Sequence, residues 1–391
     1  MDISPYFDPV DFKSIGFDKE SYDASLLISN VCFFHPEGEL DLTGVEFAII
    51  GVPESRNAFN NSSCSLAPDE IRSQFYQLYR WEKEVKIIDL GNLIVGKTVE
   101  DTYQVLSDIL AFLIENKIIP IILGGSNDLA YANYRAYEKM EQVVNIVSVD
   151  SRFDLTQEDA DIRSDRYLNR IVLQQPNYLL NYANIGYQTY MNSPENTNLM
   201  NQLFFETYRV GIMRKDMEEI EPIVRNAEMM SIDISAVRRP DAPGNPNASA
   251  NGFYGEEICQ VARYGGVSDK LTSFGIYEYD PTLDTSFQTA QLIGHILWYF
   301  VDGYIHRQGD TFFKDKNMYT RYSVTVSEGV NELEFYCSKK TGRWWVVVPV
   351  INIKKDLEQK YFLPCSRRDY DIACQDRISE RWWRAYHKLN R

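Results

Sequence analysis

Asp150, Arg152 and Asp154 stand in the stretch NIVSVDSRFDL, where an apolar run gives way to a polar turn. Two carboxylates four residues apart at the carboxyl end of a buried strand lie where open α/β sheets collect their ligands, in the crevice beyond the strand ends. Carboxylates placed there commonly hold a metal or carry acid/base chemistry. The arginine between them changes the expectation, because a guanidinium keeps its proton and offers no lone pair. A cation at such a position replaces a metal or excludes it. Two further polar turns close apolar runs in the same way: Gly124-Gly125-Ser126-Asn127-Asp128 after IIPIIL, and Asp233-Ile234-Ser235 at the end of EMMSIDIS.

The elements that must present these turns form a regular series. Strands are expected at 45–51, 85–91, 118–125, 143–149, 207–212, 228–235 and 271–279. Helices are expected from Pro68, from Thr98, over 129–142 and 216–227, from Gly255 and over 286–304. In the helix after Thr98, Tyr103, Leu106, Leu110 and Leu113 recur at three and four, so one face is core. Strands alternating with helices over some 260 residues, roughly twice one βαβαβ half, indicate a three-layer α/β/α fold around a mainly parallel sheet.

Beyond Gly303 the pattern changes. Alternating segments around Tyr322–Val326 and Leu333–Cys337, then RWWVVVPV, read as a small antiparallel β appendage followed by an aromatic and basic helix around Arg381–Tyr386. Three parts follow: an N-terminal extension (1–40), an α/β domain (41–305) and an appendage (306–391).

The 391 residues carry a net charge of −16 and are 44% hydrophobic, enough for a large core. The charge is divided unevenly. From His306 onward there are 17 Lys and Arg against 11 Asp and Glu; the first 305 residues hold 23 against 45. A basic tail on an acidic body suits packing within the chain or on a sister subunit better than nucleic acid, for which no recognised module is present. No apolar run is long enough for a transmembrane helix, and the acidic start does not read as a signal peptide, so a cytoplasmic location is expected. Six scattered cysteines without a CxxC pair read as reduced thiols.

The strand-end turns, taken in order, resemble the arginase/agmatinase/formimidoylglutamase group, the ureohydrolases. The landmarks are Gly51-Val52-Pro53, Ala67-Pro68-Asp69-Glu70-Ile71-Arg72, Asp89-Leu90-Gly91, Leu123-Gly124-Gly125, Ile185-Gly186-Tyr187-Gln188, Ala242-Pro243-Gly244 and Glu278-Tyr279-Asp280-Pro281 with Asp284. They span roughly 45–304, and the Gly-Tyr-Gln piece looks most like formimidoylglutamase. The resemblance implies an arginase-type sheet of about eight strands and two manganese ions that activate a water against a guanidino or formimino carbon.

It also implies ligands that are only partly present. The histidine of GGDH falls on Asn127. DAHxD falls on Asp150-Ser151-Arg152-Phe153-Asp154, with Arg152 for the histidine. DxD falls on Asp233-Ile234-Ser235, with Ser235 for the second aspartate. Glu257 matches a family glutamate that helps hold the substrate's cationic end, and Arg238 stands where Asp-Pro usually follows. On this basis the metal site is expected to be a salt-bridge cluster, with Arg152 forked between Asp150, Asp154 and Asp233, Arg238 adding charge, and manganese absent.

The expectation that follows is a catalytically inactive ureohydrolase-like protein acting as a protein-binding or scaffold subunit. Its partner would dock on the appendage through Trp382 and Trp383, and homo-oligomers are also open. The alternative is a hydrolase on a formimino or guanidino substrate with altered metal dependence.

Overall fold

The computed structural model describes residues 1–17, 23–156, 161–310, 316–326, 332–352 and 357–390. In chain order the strands are β1 (Phe7–Asp8), β2 (Cys32–Phe33), β3 (Phe47–Val52), β4 (Ile87–Leu93), β5 (Ile119–Gly124), β6 (Val144–Val149), β7 (Leu179–Tyr187), β8 (Glu206–Arg209), β9 (Met229–Asp233), β10 (Ser273–Tyr277), β11 (Tyr319–Val324), β12 (Leu333–Ser338), β13 (Trp344–Asn352) and β14 (Leu357–Cys365). The helices are α1 (Ala67–Phe75), α2 (Val99–Glu115), α3 (Leu129–Lys139), α4 (Leu168–Leu173), α5 (Pro194–Gln202), α6 (Val210–Met213), α7 (Ile220–Arg225), α8 (Gly255–Val267), α9 (Gln288–Ile305), α10 (Arg367–Ala373) and α11 (Glu380–Leu389).

The main sheet has ten strands in the order β1-β4-β3-β5-β10-β9-β6-β7-β8, with β2 also on β4. All pairings are parallel except β1 on β4. The two strands beyond the expected eight come from the N-terminal extension, which joins the sheet edge. Strand β5 is buried at every residue, as an apolar run covered on both faces must be. Each face of the sheet carries its own apolar cluster, one centred on α1, α8 and α9 and the other on α2 and α3.

Local chemistry sets the ends of the elements. Thr98 accepts from the Asp101 N–H while Asp101 bonds back to the Thr98 N–H, a capping box that starts α2 at the expected residue. Arg72 of α1 is fully buried and forks onto Asp89 of β4, with Nε to Oδ2 at 2.8 Å and Nη2 to Oδ1 at 2.9 Å. This bidentate pair fastens the helix to the sheet.

The appendage is a four-stranded antiparallel sheet, β11-β12-β13-β14, with α10 and α11. One strand more is present than expected, since β14 pairs antiparallel with β13. Basic side chains from both parts join the appendage to the body. Arg225 of α7 donates to the Trp344 and Cys365 carbonyls at 3.1 and 3.3 Å, Arg343 pairs with Glu221 at 3.2 Å, and Lys388 donates to Asn181 at 2.6 Å. The expected strand at 207–212 is shorter, because the chain turns into α6 at Val210. Among the described residues no helix is long and apolar enough to cross a membrane. All six cysteines are free, three of them buried.

Candidate functional site

Strands β5, β10, β9 and β6 are neighbours in the sheet, and their carboxyl ends deliver Asn127, Glu278, Asp233 and the Asp150–Asp154 turn to one place. Asn127 and Asp150 are 1% exposed, Glu278 2%, Asp154 5% and Asp233 8%. Four turns far apart in sequence thus build one buried acidic site in the crevice beyond the strands.

The hydrogen bonds tie the turns to each other. The Asn127 amide nitrogen Nδ2 donates to Asp154 Oδ2 at 2.8 Å and to Asp150 Oδ2 at 3.3 Å. The Asn127 backbone N–H donates to Glu278 Oε1 at 2.9 Å, and Asn61 Nδ2 donates to Glu278 Oε2 at 2.8 Å. Asp150 also accepts from the Arg152 N–H at 2.7 Å, and Asp233 from the Ser235 N–H at 2.7 Å. Ser235 exchanges a hydrogen bond with Ser151 at 3.3 Å. Asp154 (φ 49°) and Glu278 (φ 68°) both hold left-handed backbone, which costs energy for residues with side chains and concentrates at functional sites.

The electrostatics are those of a site short of positive charge. Burial raises Asp150 well above the usual carboxylate range, and the charges of Asp154 and Asp233 add to it. Burial likewise lifts Asp154, which hydrogen-bonds Asp150. Asp233 is pushed up to about 6 by burial, against its bonds from Ser235 and the charge of Arg152. Glu278 is pushed up to about 8 by burial and by Asp233. Removal from water and like-charge repulsion both favour the protonated acid.

Arg152 departs from its expected role. Its backbone serves the turn, but the guanidinium makes no ion pair with the aspartates and stands 5.9 Å from the centre of the Phe59 ring. The expected salt-bridge cluster is therefore not formed, because the Asp150 and Asp154 carboxylates are taken up by the Asn127 amide and by each other. Arg238 is likewise engaged elsewhere, pairing with Asp241 at 2.8 Å and lying over the Tyr254 ring. Glu257 caps α8 through the Tyr254 N–H at 2.8 Å and pairs with Arg214 at 2.9 Å, so it does not join the carboxylate group. The glutamate that does join is Glu278. It was visible in sequence as the first residue of a strand-end turn, Glu-Tyr-Asp-Pro, the same signal that singled out the other three turns.

Trp382 does not present a contact surface. It is 1% exposed in the appendage core and donates through Nε1 to the Val347 carbonyl at 2.8 Å. A residue of 3.6-fold helical pattern beside an apolar sheet buries its largest ring. Trp383 packs around the same cluster, less deeply.

The donor set suits a hard cation. Three buried aspartates lack an ion-pair partner, and Asn127 Oδ1 is buried without a hydrogen-bond donor, leaving a free carbonyl oxygen beside them. Oxygen donors of this kind suit manganese or magnesium. Among the described residues, no group of three or more His, Cys, Asp or Glu side chains stands arranged to hold a metal ion, so a metal would enter only if the Asn127 amide and the carboxylates readjusted.

Residues 45–302 match the family model described as the arginase family. Formimidoylglutamase of Bacillus subtilis (strain 168) is 24% identical over 280 residues, covering 66% of this chain and 86% of that protein. Formimidoylglutamase of Staphylococcus haemolyticus is 24% identical over 276 residues, covering 68% and 88%. The fold is shared with the crystal structure of the B. subtilis formimidoylglutamase (TM-score 0.65, 19% identity, 76% of this chain and 99% of that one). It is shared also with Trypanosoma cruzi formiminoglutamase with Mn²⁺ (TM-score 0.63, 16% identity, 72% and 99%). The T. cruzi protein has been described with Mn²⁺ in an asparagine-to-histidine variant as well. These manganese-bearing neighbours overturn the expectation, drawn from the missing histidines, that this site has no metal cofactor.

Proposed function

Since the chain belongs to the arginase family, we propose that it is a hydrolase cleaving a carbon–nitrogen bond of a linear formimino or guanidino substrate at an oxygen-rich metal site. The observation that carries this reading is the buried trio Asp150, Asp154 and Asp233, with no ion-pair partner and with the free Asn127 Oδ1 beside it. Such a group is costly to bury unless a cation or protons neutralise it.

These four residues would hold manganese, which when bound supplies a Lewis acid and an acidified water. The chain's own residues do the rest. Ser235 and Arg152 fix Asp233 and Asp150 through their backbone N–H groups, so those carboxylates keep their direction whether or not they are charged. Asn61 and the Asn127 N–H hold both oxygens of Glu278. Burial and Asp233 push the Glu278 carboxyl up to about 8, and a cationic amidine beside it favours the ionised form, so that its proton passes to solvent and the carboxylate pairs with the amidine N–H groups. Glu278 therefore orients the substrate and receives its charge. The likeness to formimidoylglutamases in sequence and fold supports a formimino substrate over a guanidino one.

The test is turnover by manganese-loaded protein offered formiminoglutamate, agmatine and arginine. Manganese-dependent cleavage of formiminoglutamate that is lost in Asp150→Asn is the expected result. A second reading, a catalytically silent binding subunit, draws on Ser235 and Arg152 standing where the resemblance places an aspartate and a histidine. Protein that loads manganese yet cleaves none of the three substrates would favour it.

A further inference from the structure

Where α11 of the appendage meets β8 and the turn before α7, the two parts of the chain enclose a cavity of about 310 Å³. That volume lies at the lower end of the range that takes small ligands, and such sites gather at seams between structural units. Arg381 lines this cavity with only 10% of its side chain exposed. Its Nη1 reaches the Pro364 carbonyl at 3.4 Å and Asp369 at 3.9 Å, but its buried Nε has no acceptor. A buried guanidinium N–H left without a partner is costly, and what it lacks is an oxygen, best a charged one.

Arg384 stands three residues further along the same helix, hence on the same face, and also lines the cavity. Its guanidinium bonds Glu380, Asn201 and the Phe205 carbonyl. The body contributes acids to the lining. Glu206 is already held by Asn181 and Tyr208, whereas Glu219 is half-buried and meets Ser366 and the charge of Arg381. The appendage side also carries Arg368, Asp369 and Glu380, of which Asp369 is held by the Ser366 N–H and Glu380 by Arg384. With those acids engaged, Arg381 on one side of the seam and Glu219 on the other match a molecule bearing both charges.

We propose that this seam cavity binds a small α-amino acid, its carboxylate on Arg381 and Arg384 and its ammonium on Glu219. The site is separate from the carboxylate group at the strand ends and rests on no part of the hydrolase reading.

Calorimetric titration of the full-length protein with glycine and L-glutamate, and with acetate and methylammonium as half-ligands, tests it. An amino acid should bind at least about tenfold more tightly than either half-ligand, and Arg381→Gln should weaken it by about tenfold or more. Binding should persist in Asp150→Asn, which separates this cavity from the strand-end site. Arg381 also braces Tyr208 and Asp369, so Glu219→Gln supplies an independent variant. It should erase the preference for glycine over acetate while leaving acetate binding unchanged. Absence of saturable binding by both amino acids, equal binding of acetate and glycine to the unmodified protein, or no effect of either substitution would overturn the proposal.

Discussion

Replacing Asp154 by asparagine should stabilise the metal-free protein while abolishing its response to manganese. Asp154 and Asp150 are buried, hydrogen-bonded to each other, and share the single donor Asn127 Nδ2 at 2.8 and 3.3 Å. Two full charges about 4 Å apart would repel by ~4 kcal/mol at an effective dielectric near 20, a repulsion that the folded parent escapes only by keeping a proton on the pair at a pH where the unfolded chain has released it. The substitution removes that repulsion but weakens the bond from Asn127, at a cost of about 1–2 kcal/mol for a charge-assisted hydrogen bond. A net gain of roughly 2 kcal/mol at pH 8 follows.

The pH dependence carries the sign. Asp154 is raised in the folded state, so the folded protein keeps a proton that the unfolded chain releases near pH 4. Stability from this group is fully present below that pH and is lost as the pH rises toward the folded value. The advantage of Asp154→Asn should therefore grow between pH 5 and pH 8. Urea unfolding of chelator-treated protein at both pH values measures it. In parallel, manganese at about a hundred times its dissociation constant should add ~2.7 kcal/mol to the unmodified protein at pH 8, and much less to the variant. A variant that is less stable than the parent at pH 8, or that responds equally to manganese, would refute the account of the site as carboxylates awaiting a cation.

Other perturbations read different parts of the structure. Asn127→His, which gives the site an imidazole ligand in place of an amide oxygen, should tighten manganese binding by about tenfold, ~1.4 kcal/mol, in a competition titration with a metal indicator dye. Glu278→Gln should lower turnover of formiminoglutamate by about 10²-fold or more while leaving the manganese content of the purified protein unchanged. Arg72→Met leaves Asp89 buried and unpaired and should cost about 3–5 kcal/mol in urea unfolding, with Asp89→Asn in the same background recovering part of it. Trp382→Ala should cost about 3–5 kcal/mol as a core truncation, seen as early loss of the appendage's near-ultraviolet signal. A fully folded appendage in that variant would return Trp382 to the surface.

What the sequence could disclose depended on whether a residue's role is local or assembled. Runs such as Ile119–Gly124 declare a central strand because burial on both faces permits only apolar residues, and Thr98 with Asp101 declares a helix start because the capping bonds lie within one turn. The strand β7 was hidden, since Leu179–Asn181 at its outer end are only half-buried and its pattern breaks. Side-chain direction was hidden too. The motif resemblance sets Arg152 beside three aspartates, yet its guanidinium forms no ion pair with them and stands 5.9 Å from the centre of the Phe59 ring. The donor that serves the aspartates is Asn127, twenty-three residues away in the chain and three strands away in the sheet.

The same distinction explains why the site survives the loss of both expected histidines. Sheet order β5-β10-β9-β6 brings together four turns from separate crossovers, and each holds its polar group by a bond from its own backbone or a neighbour's. Asp233 takes the Ser235 N–H, Asp150 the Arg152 N–H, and Glu278 the Asn127 N–H. Substituting Arg152 or Ser235 leaves those backbone donors in place, because any residue but proline supplies an N–H. The carboxylates consequently stay aimed at one another, and their mutual repulsion remains to be relieved. In this chain the direction of the acids is thus a property of the fold, whereas their charge state depends on what binds between them. Measuring manganese affinity for Ser235→Ala separates the two. Unchanged affinity is expected from backbone positioning, and a loss of tenfold or more would mean that the hydroxyl itself serves the metal.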